Sequence, residues 1–484
     1  MADWIVQGLK TSNLTIRSEL AELISIPRLV VGGTGSGIGK TSVMVGLARA
    51  LRGQGLKVAV FKCGPDYLDP TYHVRAAGRP CHNLDAWMMG REALLGTFNR
   101  ACADADIALI EGMMGLFDGA AAATDEGSTA EIAKWLSAPV MLVVDASGIA
   151  HTLAAIVHGF IEFDRKLRIA GVFCNRLGSQ GHLELLRASG SQAPVLGGLP
   201  VDQALAFPER HLGLRTADEV AVPDSIFGRL DEAVSQWCNL TAIIEAANAA
   251  PLLECKLSIA LQPAATPTCR IGIAFDEAFH FYYEYNLALL QTFGAELVYF
   301  SPISDRNLPD VDGIYIGGGY PEMHAEALAG NRSMREQIAG FAANGGAVYG
   351  ECGGLMYLSS GITTLEGRYF PMAGVIPGQT IMHERLQALG YVEVETETDS
   401  VIGPAGLHFR GHQFRYSELK PLTDLNWVYR MTRHFDGRVM PEGYHLGNVL
   451  ASYVHAHWAS NPAIAERLVA VCTRIAANRK HTDP

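Results

Sequence analysis

Two glycine-rich turns far apart in the chain each link an apolar strand pattern to a helical stretch, and they constrain the fold more than any other feature. The first is Gly33-Thr34-Gly35-Ser36-Gly37-Ile38-Gly39-Lys40-Thr41, which follows Arg28-Leu29-Val30-Val31-Gly32. The second is Gly350-Glu351-Cys352-Gly353-Gly354, which follows Ala347-Val348-Tyr349. A strand that feeds a helix through a tight glycine turn opens a βα unit, and such units assemble into parallel sheets with helices on both faces. Two openings of this kind in 484 residues exceed what one core accommodates, so at least two α/β domains are expected.

The first half repeats the strand pattern at 57–62, 107–112, 140–145, 169–175 and 194–200, and 42–51 reads as a helix closed by Gly53 and Gly55. This alternation predicts a doubly wound, mostly parallel sheet with ligands at the carboxyl ends of its strands. Around 240–268 an Ala-rich stretch and Leu261-Gln262-Pro263-Ala264-Ala265-Thr266-Pro267-Thr268 read as a linker. A second α/β domain starts at Arg270 with strands at 270–275, 296–300, 313–316 and 347–350, and 363–417 has the β-rich texture of an antiparallel extension. The expected organisation is an N-terminal extension at 1–26 (a short amphipathic helix), a phosphate-loop domain at 27–240, a linker at 241–269 and a second doubly wound domain at 270–484.

Composition narrows the partners. With 38 Lys+Arg against 50 Asp+Glu, the net charge of −12 argues against nucleic acid, while leaving room for a polyanionic small molecule in a local basic pocket. Apolar runs such as 139–144 are strand length and fall short of the ~20 residues a spanning helix needs. The N-terminus mixes Asp3, Lys10, Arg17, Glu19 and Glu22 among apolar residues, unlike a secretory signal. Nine scattered cysteines with no CxxC fit a reducing, cytoplasmic location.

The first turn has the makings of a phosphate cradle. Glycines at 35, 37 and 39 (Gly35, Gly37, Gly39) let backbone N–H groups converge on phosphate oxygens at a helix N-terminus. Lys40 would neutralise the β- and γ-phosphates and Thr41 would ligate Mg²⁺. Asp66 and Asp69 follow the second strand, Glu111 and Asp118 the third, and both strand ends face the same crevice. Carboxylates there complete an oxygen shell around Mg²⁺, for which Asp66 and Glu111 are the stronger candidates; as isolated residues, Asp66, Asp69 and Asp118 read equally well as turn or cap residues.

The second turn presents a thiol. Small neighbours allow the strained elbow that raises Cys352 above a sheet, and the helix beyond is expected to lower its pKa. Upstream, Gly317-Gly318-Gly319 offers backbone N–H groups for an oxyanion hole, Gly318 and Gly319 in particular. Ala451-Ser452-Tyr453-Val454-His455-Ala456-His457-Trp458 reads as a strand with His455 and His457 on one face, and either histidine could serve as the base.

These residues closely resemble the cobyrinic acid a,c-diamide synthase family, from about Pro27 to Pro462. The marks are GTGSGIGKT, FKCGPDYLDPTYH, GRPCHNLDAWM, EGMMGLFDG, FPERHLGL, GGGYPEMHAE, GECGGLMYL, GHQFRYSEL and ASYVHAHWASNP. The first domain is similar to dethiobiotin synthetase and the second to class I glutamine amidotransferases. The resemblance implies that Cys352 releases ammonia from glutamine, and that ATP activates two acetate carboxylates of a tetrapyrrole as acyl phosphates for ammonia to attack. It places Tyr67, Leu68 and Asp118 where family members handle substrate, and it favours His455 as the base because that position matches the Tyr-x-His of the broader class. Class I triads carry a glutamate two residues after the histidine; here His457 stands there, which implies a Cys/His pair without its third member. Sister enzymes carry the same motifs and act on hydrogenobyrinic acid or nickel-sirohydrochlorin, and a ParA-like ATPase switch with an inactive amidotransferase domain is a more distant alternative. A homodimer is compatible with all of these readings.

Overall fold

The computed structural model describes residues 22–207, 222–255 and 261–482, which form two compact units dividing between Ile259 and Ala260. FPERHLGL lies almost wholly outside the described residues, as does most of the helix expected at 1–26. Among the described residues no helix is long and apolar enough to cross a membrane.

The first unit is built on a seven-stranded sheet. Its order is Cys81–Leu84, Val58–Cys63, Ile107–Glu111, Arg28–Gly33, Val140–Asp145, Ile169–Leu177, Val195–Pro200, with every neighbouring pair parallel. Central strands such as Arg28–Gly33 and Val58–Cys63 are buried at every position, as continuous Val/Leu/Ile runs require when helices cover both faces. The edge strand Cys81–Leu84 was not anticipated, because Cys-His-Asn-Leu is short and only half apolar. Three adjacent strands, ending at Gly33, Cys63 and Glu111, release their loops at one end of the sheet, and that end carries the site.

The helix Lys40–Gly53 buries Val43, Met44, Leu47 and Leu51 in the core under this sheet. The Ala-rich stretch belongs to the same core. Leu240–Asn248 is a helix with Ile243 and Ala247 fully buried there, and Leu253–Cys255 pairs antiparallel with Glu22–Ile24. The expected linker at 241–269 therefore starts too early, and the expected extension at 1–26 ends in a paired strand. Low charge in the stretch reflects an apolar face, not a flexible connection.

The second unit has a ten-stranded sheet with two halves. Ala295–Phe300, Cys269–Ala274, Gly313–Ile316, Ala347–Glu351 and Val449–Ser452 run parallel. Val439–Leu446, Asn426–Arg433, Ala388–Thr396, His408–Arg415 and His455–Ala456 continue it antiparallel. The antiparallel extension expected at 363–417 thus runs well past Ser417, and four further strands, Tyr369–Pro371, Ser359–Thr363, Ile376–Met382 and Ser417–Pro421, form a small separate sheet. The expected single strand at 451–458 is broken at Tyr453 and Val454. Ser452 ends the parallel half, whereas His455 lies at the far edge of the antiparallel half. Three residue steps span at most about 10 Å, so the antiparallel half rolls back and brings its last strands beside the strand that bears Cys352.

Candidate active sites

At the carboxyl end of the first sheet the turn from Gly33 to Gly39 leads directly into the helix at Lys40. Gly39 has φ 89°, and a side chain there would collide with Asn175, so glycine is required at the helix entrance. Gly35 and Gly37 face open space, leaving their backbone accessible to a ligand. The Lys40 ammonium folds over the loop and donates to the carbonyls of Gly35 (2.9 Å) and Met114 (2.5 Å). Thr41 Oγ1 donates to Glu111 Oε1 (2.9 Å) and to Asp69 Oδ2 (3.3 Å).

A buried lysine organises this cluster. Lys62 Nζ lies 2.8 Å from Asp69 Oδ2, 3.0 Å from Glu111 Oε1 and 4.0 Å from Asp66 Oδ2, and His73 Nε2 lies 2.5 Å from Glu111 Oε2. The contact between Lys62 and Glu111 follows from strand register, since the two are directly paired on adjacent parallel strands. Burial alone would lower the Lys62 pKa, but Asp69, Glu111 and Asp66 outweigh it and hold the ammonium well above its ordinary value. Burial would raise Glu111; Lys62 instead keeps it below the usual range. Asp66 differs: burial and the charge of Asp69 raise it to about 6. Its Oδ1 accepts from the N–H groups of Leu68 (2.8 Å) and Asp69 (3.0 Å), so it does cap work at the helix Asp69–Ala77 while its other oxygen faces Lys62.

Tyr67 and Leu68 are buried in the same turn, and Asp118 is exposed. Asp118 Oδ2 accepts from Gly115 N–H (2.9 Å), and Gly115 packs between Asp118 and Gly35 of the phosphate loop. All three thus lie at the sheet end that carries Thr41 and Glu111.

In the second unit Cys352 has φ 48° and ψ −99°, a left-handed conformation that a non-glycine residue adopts at a cost of about 1–3 kcal/mol. The strand Ala347–Glu351 ends immediately before it and the helix Gly353–Leu358 starts immediately after it. Its N–H donates to Ser452 O (2.7 Å), tying the elbow to the neighbouring strand. The loop at Gly318 and Gly319 runs against both partners. A side chain on Gly318 would collide with the His455 ring, one on Gly319 would collide with the Ala278 carbonyl, and the inner face of Gly353 lies against Gly319 N. Nucleophile elbow, glycine loop and histidine therefore share one small volume.

Residues 29–214 match the family model described as the CobQ/CobB/MinD/ParA nucleotide binding domain, and residues 270–463 match the CobB/CobQ-like glutamine amidotransferase domain. A protein of Leptospira interrogans (serogroup Icterohaemorrhagiae, serovar copenhageni) named cobyrinate a,c-diamide synthase is 51% identical over 453 residues, covering 93% of this chain and 99% of that protein. Proteins of the same name from Syntrophotalea carbinolica and Dehalococcoides mccartyi (strain CBDB1) are 46% and 42% identical over 458 residues. These alignments cover 93% of this chain and 99% and 98% of theirs. The chain belongs to the cobyrinate a,c-diamide synthase family.

Within this member of the cobyrinate a,c-diamide synthase family, the two histidines have different surroundings. His455 is buried against His412, with ring centroids 4.8 Å apart and planes 16° from parallel. His457 lies past the end of the strand, where its Nδ1 accepts from Ala459 N–H (3.3 Å) and its ring packs on Tyr283 (4.5 Å) and Tyr285 (5.5 Å). Burial holds each of them down to about 3. The expected lowering of the thiol is reversed. Burial, reinforced by Glu322, pushes Cys352 up to about 12, because a single six-residue helix does not offset desolvation. Thiol and imidazole are both neutral in this state.

The cobyrinate a,c-diamide synthase motifs also contain residues that sequence reasoning passed over. Lys62 and His73 both sit in the quoted FKCGPDYLDPTYH, yet nothing in that string says that Lys62 faces Glu111. Glu351 is buried with its carboxylate accepting from Tyr349 (2.8 Å), Tyr315 (2.9 Å) and Ala456 N–H (3.2 Å), which anchors the segment carrying His455 to the residue before Cys352.

Proposed function

We propose that this chain converts the a and c acetate side chains of cobyrinic acid to amides, using ATP to activate each carboxylate and glutamine as the nitrogen source. The observation that carries this reading is an intact phosphate-loop cluster and an intact, strained Cys352 elbow in one chain that aligns nearly end to end with proteins of that name.

In the glutamine half, Cys352 Sγ attacks the side-chain amide carbon while His455 takes the thiol proton and passes it to the leaving nitrogen. Ammonia departs and water cleaves the thioester to glutamate. Backbone N–H groups of Gly318 and Gly319 hold the oxyanion, an interaction that typically lowers the barrier by about 3–4 kcal/mol. His455 has the better claim to the proton, since it borders the glycine loop whereas His457 is engaged by Ala459 and the two tyrosines.

In the synthetase half, a substrate carboxylate oxygen attacks the γ-phosphorus, ADP leaves, and ammonia displaces phosphate from the acyl phosphate to give the amide. The backbone at Gly35, Gly37 and Gly39 cradles the phosphates and Lys40 neutralises them. Thr41, Glu111 and Asp66 would hold Mg²⁺, with Asp69 as a further donor. Their oxygens suit a hard cation. Mg²⁺ would supply charge neutralisation between the phosphates. Tyr67, Leu68 and Asp118, at the rim of this cluster, contact the tetrapyrrole.

The test is product mass spectrometry on a panel of tetrapyrrole acids with ATP and Mg²⁺, given either glutamine or ammonia. Cobyrinic acid should gain two amides with either nitrogen donor, and Cys352→Ala should abolish the glutamine reaction alone. Amidation of hydrogenobyrinic acid or nickel-sirohydrochlorin in preference to cobyrinic acid would overturn the substrate assignment. Loss of both nitrogen sources in folded Cys352→Ala would overturn the division of labour.

A further inference from the structure

The glutaminase half proposed above has no carboxylate following its histidine, so something else must hold the imidazole. We infer that His412 is the positioning residue for His455, fixing the plane of the base by face-to-face stacking where an acid would otherwise fix it by hydrogen bonding.

Three independent features build this arrangement. His412 and His455 are directly opposite each other in the antiparallel pair of His408–Arg415 with His455–Ala456, so the register itself sets one ring over the other. The preceding residue is Gly411, where any side chain would collide with the His455 carbonyl and crowd Val454; the missing Cβ lets the two strands close to stacking distance. The rings then lie 4.8 Å apart and within 16° of parallel. Finally, the outer ring is itself located, since the buried Tyr283 hydroxyl lies 3.2 Å from His412 Nδ1.

The backbone of the base is held separately. Asn286 donates from Nδ2 to Ala456 O (2.8 Å) and accepts at Oδ1 from Trp458 N–H (2.9 Å), while Glu351 accepts from Ala456 N–H (3.2 Å). These contacts fix where the chain runs. The Gly318 loop limits one edge of that ring, and His412 limits its plane. A planar, polarisable neighbour also tolerates the charge that His455 gains on taking the thiol proton, as cation–π contacts do elsewhere.

This inference rests on the proposed use of Cys352 and His455 in glutamine hydrolysis, and its test separates the two. His412→Leu, His412→Phe and Cys352→Ala are compared in the full-length protein, measuring kcat and KM for glutamine and the turnover with ammonia. His412→Leu should lower kcat for the glutamine reaction about 10-fold, the loss expected for one aromatic pair, with KM for glutamine and ammonia-dependent turnover unchanged. His412→Phe, which keeps a flat ring at the same place, should recover most of that loss. The inference is overturned by wild-type kcat in His412→Leu, by His412→Phe as slow as His412→Leu, by an effect confined to KM, or by an equal loss with ammonia. Glutamine-dependent turnover in Cys352→Ala would instead remove the reading on which it rests, and both would fall together.

Discussion

Iodoacetamide reports the protonation state of Cys352 directly, because only the thiolate attacks it. Burial is the chief cause that pushes this thiol up to about 12, and only Arg415 and the Gly353 N–H oppose it. At pH 8 a thiol with that value is about 0.01% ionised, whereas one at the ordinary 9.0 is about 10% ionised. The ionised fraction therefore falls about 1,000-fold, and alkylation of Cys352 should slow by that factor relative to a free thiol. His455 does not relieve this, since burial keeps it neutral down to about 3. The assay is a timed iodoacetamide reaction followed by peptide mapping, with a cysteine-containing model peptide as the free-thiol reference, because every cysteine but Cys238 is buried and burial raises Cys238 itself to about 12. The rate at Cys352 should climb about tenfold per pH unit from pH 7 to 10 with no plateau, because the thiolate fraction keeps rising until the pKa is passed. A glutamine-like chloroketone should label Cys352 faster than iodoacetamide does, since its carbonyl engages the Gly318–Gly319 loop as the proton moves to His455. Alkylation of the ligand-free protein at pH 8 within about tenfold of a free thiol would refute the neutral resting pair.

Three further outcomes are expected. Lys62→Met leaves Asp69 and Glu111 buried without their cation and should destabilise the first unit by about 3–5 kcal/mol; millimolar Mg²⁺ should recover part of this in denaturant titrations, and an equal loss with and without Mg²⁺ would show that the cluster takes no cation. Lys40→Ala should depress turnover with glutamine and with ammonia alike by about 10²–10³-fold, and near-normal ammonia-dependent turnover would exclude the loop as the phosphate cradle. His455→Asn should cost about 10²–10⁴-fold in glutamine-dependent turnover and His457→Asn distinctly less, both retaining the ammonia reaction; the reverse ranking would move the base to His457.

What the sequence determined by itself is whatever lies in one contiguous stretch. The phosphate loop was legible because its strand, glycines, Lys40 and Thr41 are consecutive, and a helix entrance at φ 89° leaves little choice but glycine at position 39. The Cys352 elbow was legible for the same reason: small residues on both sides of a nucleophile mark a turn too tight for anything else. Both parallel cores followed from apolar runs bounded by glycine.

Contacts between strands were not legible, since register is decided by packing across the whole sheet. Lys62 and Glu111 are ordinary residues until adjacent parallel strands place them side by side. The helix at Leu240–Asn248 looked like a connection because half of its apolar residues are alanine, and only a core in need of Ile243 and Ala247 reveals it. The thiol pKa went the other way because a local helix dipole was legible and the depth of burial was not. His412 stands over His455 for a reason no local pattern contains: the antiparallel pairing of His408–Arg415 with His455–Ala456, far apart in the chain, puts the two residues directly opposite and sets one imidazole against the other.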